Sequence, residues 1–323
     1  MAKAGQSELL GAHAAAGRGG TLQNHHFEAL LSQSNGGGQS VGSGTHNHSI
    51  IFVSHPPGFV SGRRVPFGGS QGKGMKSWQI PSFGALELVE RPKLTLESHQ
   101  VRLRIRAVSL NYRDHLMLQG VYNPKQPLPL VPCSDGSGEV LEVGSAVKSW
   151  KVGDRVCPIF AQTWISGPPN RDRISQTLGG PLDGTLQPEL VVDQQGLVAV
   201  PAHLDWEEAA TLPCAAVTAW NAIHDLPAGS RVVVQGTGGV SLFALQLAKA
   251  AGMEVLATSS SPEKLKKAKQ LGATRWSTTR RTRSGAGLCG PGLAKGWTAW
   301  WKWVAPAPWI NRCVVSSRAE RSL

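Results

Sequence analysis

No run of apolar residues in this 323-residue chain approaches the roughly 18 that a membrane-spanning helix requires. The best local run, Ser49–Val53, is too short and too far in for a secretory leader. Cysteine is scarce. Cys133, Cys157, Cys214, Cys289 and Cys313 are odd in number and form no CxxC pair. That excludes a disulfide framework and predicts reduced thiols in a cytoplasmic protein. The middle of the chain also lacks net charge. Of the total of +12, residues 1–74 carry +3 and residues 279–323 carry +7, leaving +2 for the long stretch between. The basicity belongs to the two ends and argues against a nucleic-acid footprint on the folded part.

Residues 1–74 lack sustained periodicity. They contain "GGGQSVGSG" with scattered Ser, Pro and His, a composition that predicts disorder. His25, His26, His46 and His48 have no cysteine or second histidine pair at zinc spacing, so they read as solvated tail residues. Met75, in "GKGMKSWQI", opens the first stretch that reads as a strand and is a candidate start of the folded protein.

From there the pattern is β-rich. "VRLRIRAVSL" alternates Val101, Leu103 and Ile105 with Arg102, Arg104 and Arg106, predicting a strand with one wet face. "SGEVLEVGSAV" and "KVGDRVCPIF" follow with glycine turns, and close strand spacing predicts a small antiparallel barrel over 75–200. "DWEEAATLP" then starts with an aspartate cap and acids in its first turn, as a helix does, and "CAAVTAWNAIHD" continues as a second helical stretch.

Residues 230–273 carry the chemistry. Val232–Val234 read as a buried strand, "GTGGVS" as a glycine turn, and Leu242, Leu245, Leu247 and Ala248 as the apolar face of a helix ended by Gly252. "EVLAT" is a second strand, and Pro262 opens a second helix. This βαβ unit places the glycine turn where a dinucleotide site needs it. The loop Gly236, Thr237, Gly238, Gly239, Val240, Ser241 supplies the tight turn at its first glycine. Its second lets backbone approach a pyrophosphate at the helix N-terminus, and Ser241 is small enough for close packing. An NAD site wants an acid at the end of the second strand. Here stand Thr258, Ser259, Ser260 and Ser261, followed by Lys264, which suits a 2′-phosphate and predicts NADP(H). Lys266, Lys267 and Lys269 read as the solvated face of the second helix.

The order of "NYRDHLMLQG", "PCSDGSGEVLEVGSAV", "KVGDRV", "LPCAAVTAW" and "GTGGVSLFALQLAKAAG" resembles the medium-chain dehydrogenase/reductase superfamily, especially its quinone-oxidoreductase and zinc-type alcohol-dehydrogenase-like branch. The resemblance covers about Met75 to Ala273. It implies an α/β chain with a GroES-like catalytic barrel and a Rossmann domain at 201–278, an active site in the cleft between them, a homodimer, and hydride transfer to a quinone, enone or carbonyl substrate. Zinc-dependent members carry a cysteine where this chain has Asn111 and a His-Glu pair where it has Ser134-Asp135; only Cys214 matches the third ligand position. One thiol cannot hold a catalytic zinc, so the resemblance implies a zinc-free site with Cys214 a packed thiol. It further assigns Asn111 and Tyr112 as donors to the substrate oxygen, Tyr112 alternatively as an interface aromatic, Asp114 as a residue orienting the turn, and Thr218 as a hydroxyl facing the nicotinamide.

Beyond Ala273 the family pattern gives way to "TTRRTRSGAGLCGPG" and "WTAWWKWVAPAPW", without strand–helix alternation, so the Rossmann half looks incomplete and a third parallel strand absent. Tryptophan has one codon, so Gly296–Val304 is decodable when each codon starts one base early. The reading becomes Leu/Met/Val, Asp, a small or polar residue, Leu/Met/Val, Val, Glu, Val/Met, Gly, which resembles the fourth-strand region of the family. Residues 279–323 are therefore expected to be out of frame. The alternatives are an inactive, shortened family member, or a genuine tail that binds nucleic acid by stacking and charge.

Overall fold

The computed structural model describes residues 74–278, together with the backbone of four short strands, β1 (Thr21–Gln23), β2 (Ser49–Val53), β3 (Arg63–Pro66) and β14 (Val315–Ser317). The tail histidines and the tryptophan-rich segment Trp297–Trp309 lie outside the described residues. The chain divides into two compact units, residues 1–214 and 215–323. No helix among the described residues is long and apolar enough to cross a membrane.

The first unit is built on β6 (Gln100–Ser109), which pairs antiparallel with β7 (Asp135–Val143) and β9 (Glu189–Asp193). β7 continues to β8 (Arg155–Pro158) and β10 (Leu197–Ala199), and β2 with β3 extends the sheet beyond β6. A second sheet orders β1, β5 (Ala85–Pro92) and β4 (Gly74–Gln79). Val101, Leu103 and Ile105 of β6 enter a core with Ile80, Val131, Val140, Val156 and Leu186, which places the expected alternation in the expected strand.

The opposite face of β6 is less wet than its arginines suggest. Arg102 is only 5% exposed. Its Nε donates to Glu142 (2.9 Å), Nη1 reaches Glu189 at 3.5 Å and Nη2 donates to the Leu94 carbonyl (2.8 Å). A strand flanked on both sides has neighbours that supply such partners, and a buried arginine persists only with them.

Among the described residues, three short helices decorate this unit: α1 (Tyr112–Leu118), α2 (Arg171–Ser175) and α3 (Trp206–Ala210). Asp205 caps α3 by accepting from the Glu208 amide (2.7 Å), while Glu208 accepts from the Asp205 amide (3.2 Å), so the aspartate start read from sequence is a full capping box. The division falls after Cys214, whereas the sequence placed it at 201. α3 belongs with the barrel because the Ser137 hydroxyl of β7 donates to the Trp206 carbonyl (2.5 Å) and Arg155 of β8 covers the Trp206 ring (4.4 Å). The junction of the two expected helical stretches, "LPCAA", is a π-helical turn at Leu212–Ala216, followed by α4 (Val217–Ile223).

The second unit holds three parallel strands in the order β13 (Arg275–Thr278), β12 (Glu254–Ser259), β11 (Arg231–Gln235), with β14 antiparallel on the far side of β11. The third parallel strand, read as absent from the sequence, is present: Trp276 of β13 pairs with Ala257 of β12. Its four residues sit at the sheet end with most of their surface exposed, so no hydrophobic alternation announces them. α5 (Gly239–Ala250) and α6 (Pro262–Gln270) connect the strands, with Leu242, Leu245 and Ala248 buried as their spacing predicts.

Candidate functional site

Two clusters carry the candidate chemistry, one in each unit. In the second unit β11 ends at Gln235 and the chain turns at Gly236 with φ +75, a left-handed conformation that favours glycine. Gly238 caps α5 with φ −78 and ψ 172, and the first helical bond runs from the Leu242 amide to its carbonyl (3.0 Å). The amides of Gly239, Val240 and Ser241 thus occupy the first turn of a twelve-residue helix, where backbone donors have no intrahelical partner and the dipole favours an anion. Ser241, 6% exposed, donates its hydroxyl to the Gln235 carbonyl (2.8 Å). That bond locks the helix start to the strand end, doing by hydrogen bonding what a third glycine does by smallness. Thr237 and Val240 are half-buried along the same loop.

The hydroxyls after β12 divide into two sets. Thr258 is buried, and its Oγ1 lies 3.4 Å from both the Gly236 amide and the Val234 carbonyl. Ser259 is buried as well and accepts from the Ser261 amide (3.2 Å), while Ser261 caps α6 by accepting from the Lys264 amide (3.3 Å). Of the residues assigned to the cofactor here, Ser260 and Lys264 are the exposed ones. Thr218 lies in the first turn of α4, half-buried.

The cluster in the first unit forms where α1 leaves β6. Asn111 is its N-cap, and Asp114 accepts from the Asn111 amide (2.7 Å), so Asp114 orients the turn as expected. Tyr112 stands on the outer side of this turn, 68% exposed, its ring tilted against that of His115 at 5.9 Å. Arg113 points inward: its guanidinium lies over Tyr122 (4.8 Å) and Phe160 (5.0 Å) and donates to the carbonyls of Leu178, Gly179 and Gly180.

Below this turn sit two fully buried carboxylates, Asp114 and Asp135, whose nearness nothing in the residue order indicates. Asp135 Oδ1 accepts from the Ser134 hydroxyl (2.7 Å) and Oδ2 from the Cys214 backbone amide (3.0 Å). The Asn111 amide also lies close enough to stabilise its charge, although Nδ2 makes no hydrogen bond of ordinary geometry. Burial pushes the Asp135 carboxyl up to about 6 against the Ser134, Asn111 and Cys214 donors. Burial pushes Asp114 up to about 7 against Arg113, 3.9 Å from its Oδ1, and the neighbouring Asp135 adds to the rise. Burial likewise raises the Cys157 thiol to about 12 and holds Cys133 well above its ordinary value, so both are packed thiols.

Three positions here correspond to zinc ligands in metal-dependent proteins of the resembling branch, and they hold an amide, a hydroxyl and one thiol. Both oxygens of Asp135 are already engaged. Among the described residues no group of three or more His, Cys, Asp and Glu side chains is arranged to hold a metal. This donor set does not fit a catalytic zinc.

Residues 97–202 match the alcohol dehydrogenase GroES-like domain, and residues 239–286 match the zinc-binding dehydrogenase family. These matches support the medium-chain dehydrogenase/reductase superfamily for the stretches they cover. The second match runs past Ala273, where the sequence pattern had faded. The zinc-type alcohol dehydrogenase-like protein C1773.06c of Schizosaccharomyces pombe is 45% identical over 192 residues, covering 58% of this chain and 56% of that protein. The NADPH-dependent alkenal/one oxidoreductase of Arabidopsis thaliana is 31% identical over 210 residues, covering 62% and 51%. The solved quinone oxidoreductase of Coxiella burnetii superposes with a TM-score of 0.54 at 29% identity, covering 64% of this chain and 62% of that one. The chain thus spans a little over half the length of these two curated relatives.

Proposed function

We propose that the chain is a zinc-independent, NADPH-dependent oxidoreductase that reduces a quinone, enone or carbonyl. The observation that carries this reading is the Gly236–Ser241 loop, where a left-handed glycine and the first turn of α5 leave backbone donors at a helix N-terminus. Ser260 and Lys264, exposed beyond β12, whose last two residues are Thr258 and Ser259 rather than an acid, would receive a 2′-phosphate. Bound NADPH would supply one hydride from its nicotinamide C4 and solvent the proton, so that a quinone leaves as its hydroquinone. Tyr112, with its exposed phenol, is the residue of the α1 turn available to donate to the substrate oxygen. The buried Asn111 Nδ2 would need the turn to shift before it could do so. Thr218 would face the nicotinamide, as the resemblance implies.

Calorimetric titration with NADPH and NADH tests the cofactor. Lys264→Glu is expected to weaken NADPH binding by on the order of tenfold or more, equivalent to about 1.4 kcal/mol, and to leave NADH nearly unchanged. Absence of any NADPH heat with the wild-type chain refutes the reading.

For the tail we propose the out-of-frame origin beyond residue 286, where the family match ends, supported by the forced codon reading of Gly296–Val304. Sequencing the transcript past Thr278 checks it. An intact frame with the tryptophan-rich segment present in the purified protein would overturn it.

A further inference from the structure

We propose that the Asp135 carboxylate acts as the positioning residue of the substrate site, a hub that joins Asn111, Ser134 and Cys214 without a metal. The three groups come from different elements: Asn111 from the N-cap of α1, Ser134 from the residue entering β7, and Cys214 from the π-helical turn. Two of them meet the Asp135 carboxylate directly: Oδ1 takes the Ser134 hydroxyl at 2.7 Å and Oδ2 takes the Cys214 amide at 3.0 Å. Asn111 is joined through the neighbouring buried Asp114, whose carboxylate accepts from its backbone amide at 2.7 Å. A π-helical turn leaves backbone groups out of the ordinary i→i−4 pattern, and here one of its amides is paired through a side chain from across the unit.

This arrangement accounts for the misfit with zinc in positive terms. The carboxylate holds together positions at which a metal would otherwise be the cross-link, each of its oxygens accepting one hydrogen bond, from the Ser134 hydroxyl and from the Cys214 amide. The neighbouring Asp114 fixes the Asn111 backbone from the other side (2.7 Å), and Arg113 is the cation nearest the pair. Asp135 touches no substrate in this scheme. It fixes where the π-helical turn that carries Cys214 stands against the residue entering β7, while Asp114 beside it fixes Asn111.

The inference rests on the reading above that the α1 turn faces the substrate, and its test separates the two. In the full-length chain, Asp135→Ala is compared with Asp135→Asn. Asparagine reproduces the hub, since its Oδ1 accepts from the Cys214 amide while its Nδ2 donates to the Ser134 hydroxyl oxygen. Hydrogen exchange of the Leu212–Ala216 peptide is the first readout, and NADPH oxidation with 1,4-benzoquinone the second. Asp135→Ala is expected to lose protection in that peptide and turnover by on the order of a hundredfold, with the KM for NADPH unchanged because the Gly236–Ser241 loop belongs to the other unit. Asp135→Asn is expected to restore both. Unchanged protection in Asp135→Ala, or an Asp135→Asn chain as impaired as the alanine variant, overturns the hub. A wild-type chain that shows the protection pattern but no quinone reduction upholds the hub and refutes the hydride-transfer reading instead.

Discussion

From about pH 4 to about pH 8 the urea midpoint of the wild-type chain is expected to fall, and the cause is the buried pair Asp114 and Asp135. In the unfolded chain both carboxyls titrate near 3.8; in the fold they are raised to about 7 and about 6. The folded state therefore binds more protons than the unfolded state throughout that window. A raised carboxyl contributes stability that is complete below its unfolded pKa and is lost as pH climbs through its folded one. The sign is opposite to that of a salt-bridged aspartate. At 1.36 kcal/mol per unit, the shifts correspond to roughly 4 kcal/mol for Asp114 and roughly 3 kcal/mol for Asp135 as upper values. The pair is coupled, so the slope belongs to both together. Replacing both by asparagine should flatten the profile between about pH 4 and pH 8 while leaving the acid limb below it. Should the double variant keep the wild-type slope, the burial argument for these two groups is wrong.

The second large effect concerns Gly238. Its φ of −78 and ψ of 172 are ordinary extended values that any residue adopts, so Gly238→Val should fold with a urea midpoint close to wild type. The side chain would nevertheless stand at the N-terminus of α5, where the phosphates must approach backbone. NADPH affinity is expected to drop on the order of a hundredfold, about 3 kcal/mol. Gly236→Ala makes the informative contrast. Nothing lies within 4 Å of the added Cβ, but φ is +75, so the change costs stability of about 1 kcal/mol through the backbone. Calorimetry and urea unfolding on the two variants together separate obstruction from strain. Wild-type NADPH affinity in Gly238→Val would remove this loop from the cofactor site.

Much of the second unit was legible from residue order. The run Val232–Val234, the glycine loop, the apolar face of α5, and Pro262 at the start of α6 all appear where the sequence placed them. Each is a local requirement: a period of two or 3.6, a positive φ, or a proline at a first helical turn. The Asp205 cap was equally local. β13 escaped because a four-residue strand at the sheet end has no buried face to impose a pattern, and the π-helical turn because its composition is that of a helix.

The first unit shows the complementary limit. The spacing of Arg102, Arg104 and Arg106 indicated a strand but not that Arg102 would be buried, since its partners Glu142 and Glu189 are 40 and 87 residues away. Nor did anything in "NYRDH" or "PCSDGSG" foretell that Asp114 and Asp135 would share one buried pocket with the amide of Cys214, 79 residues beyond Asp135. By itself, then, the sequence determined the strand–turn–helix of the glycine loop and the residue types at the candidate zinc positions, because these depend on neighbours along the chain. Only the tertiary structure decided which carboxylates are buried, what each oxygen binds and how each is titrated. Desolvation and charge act through space, between residues the chain brings together from far apart.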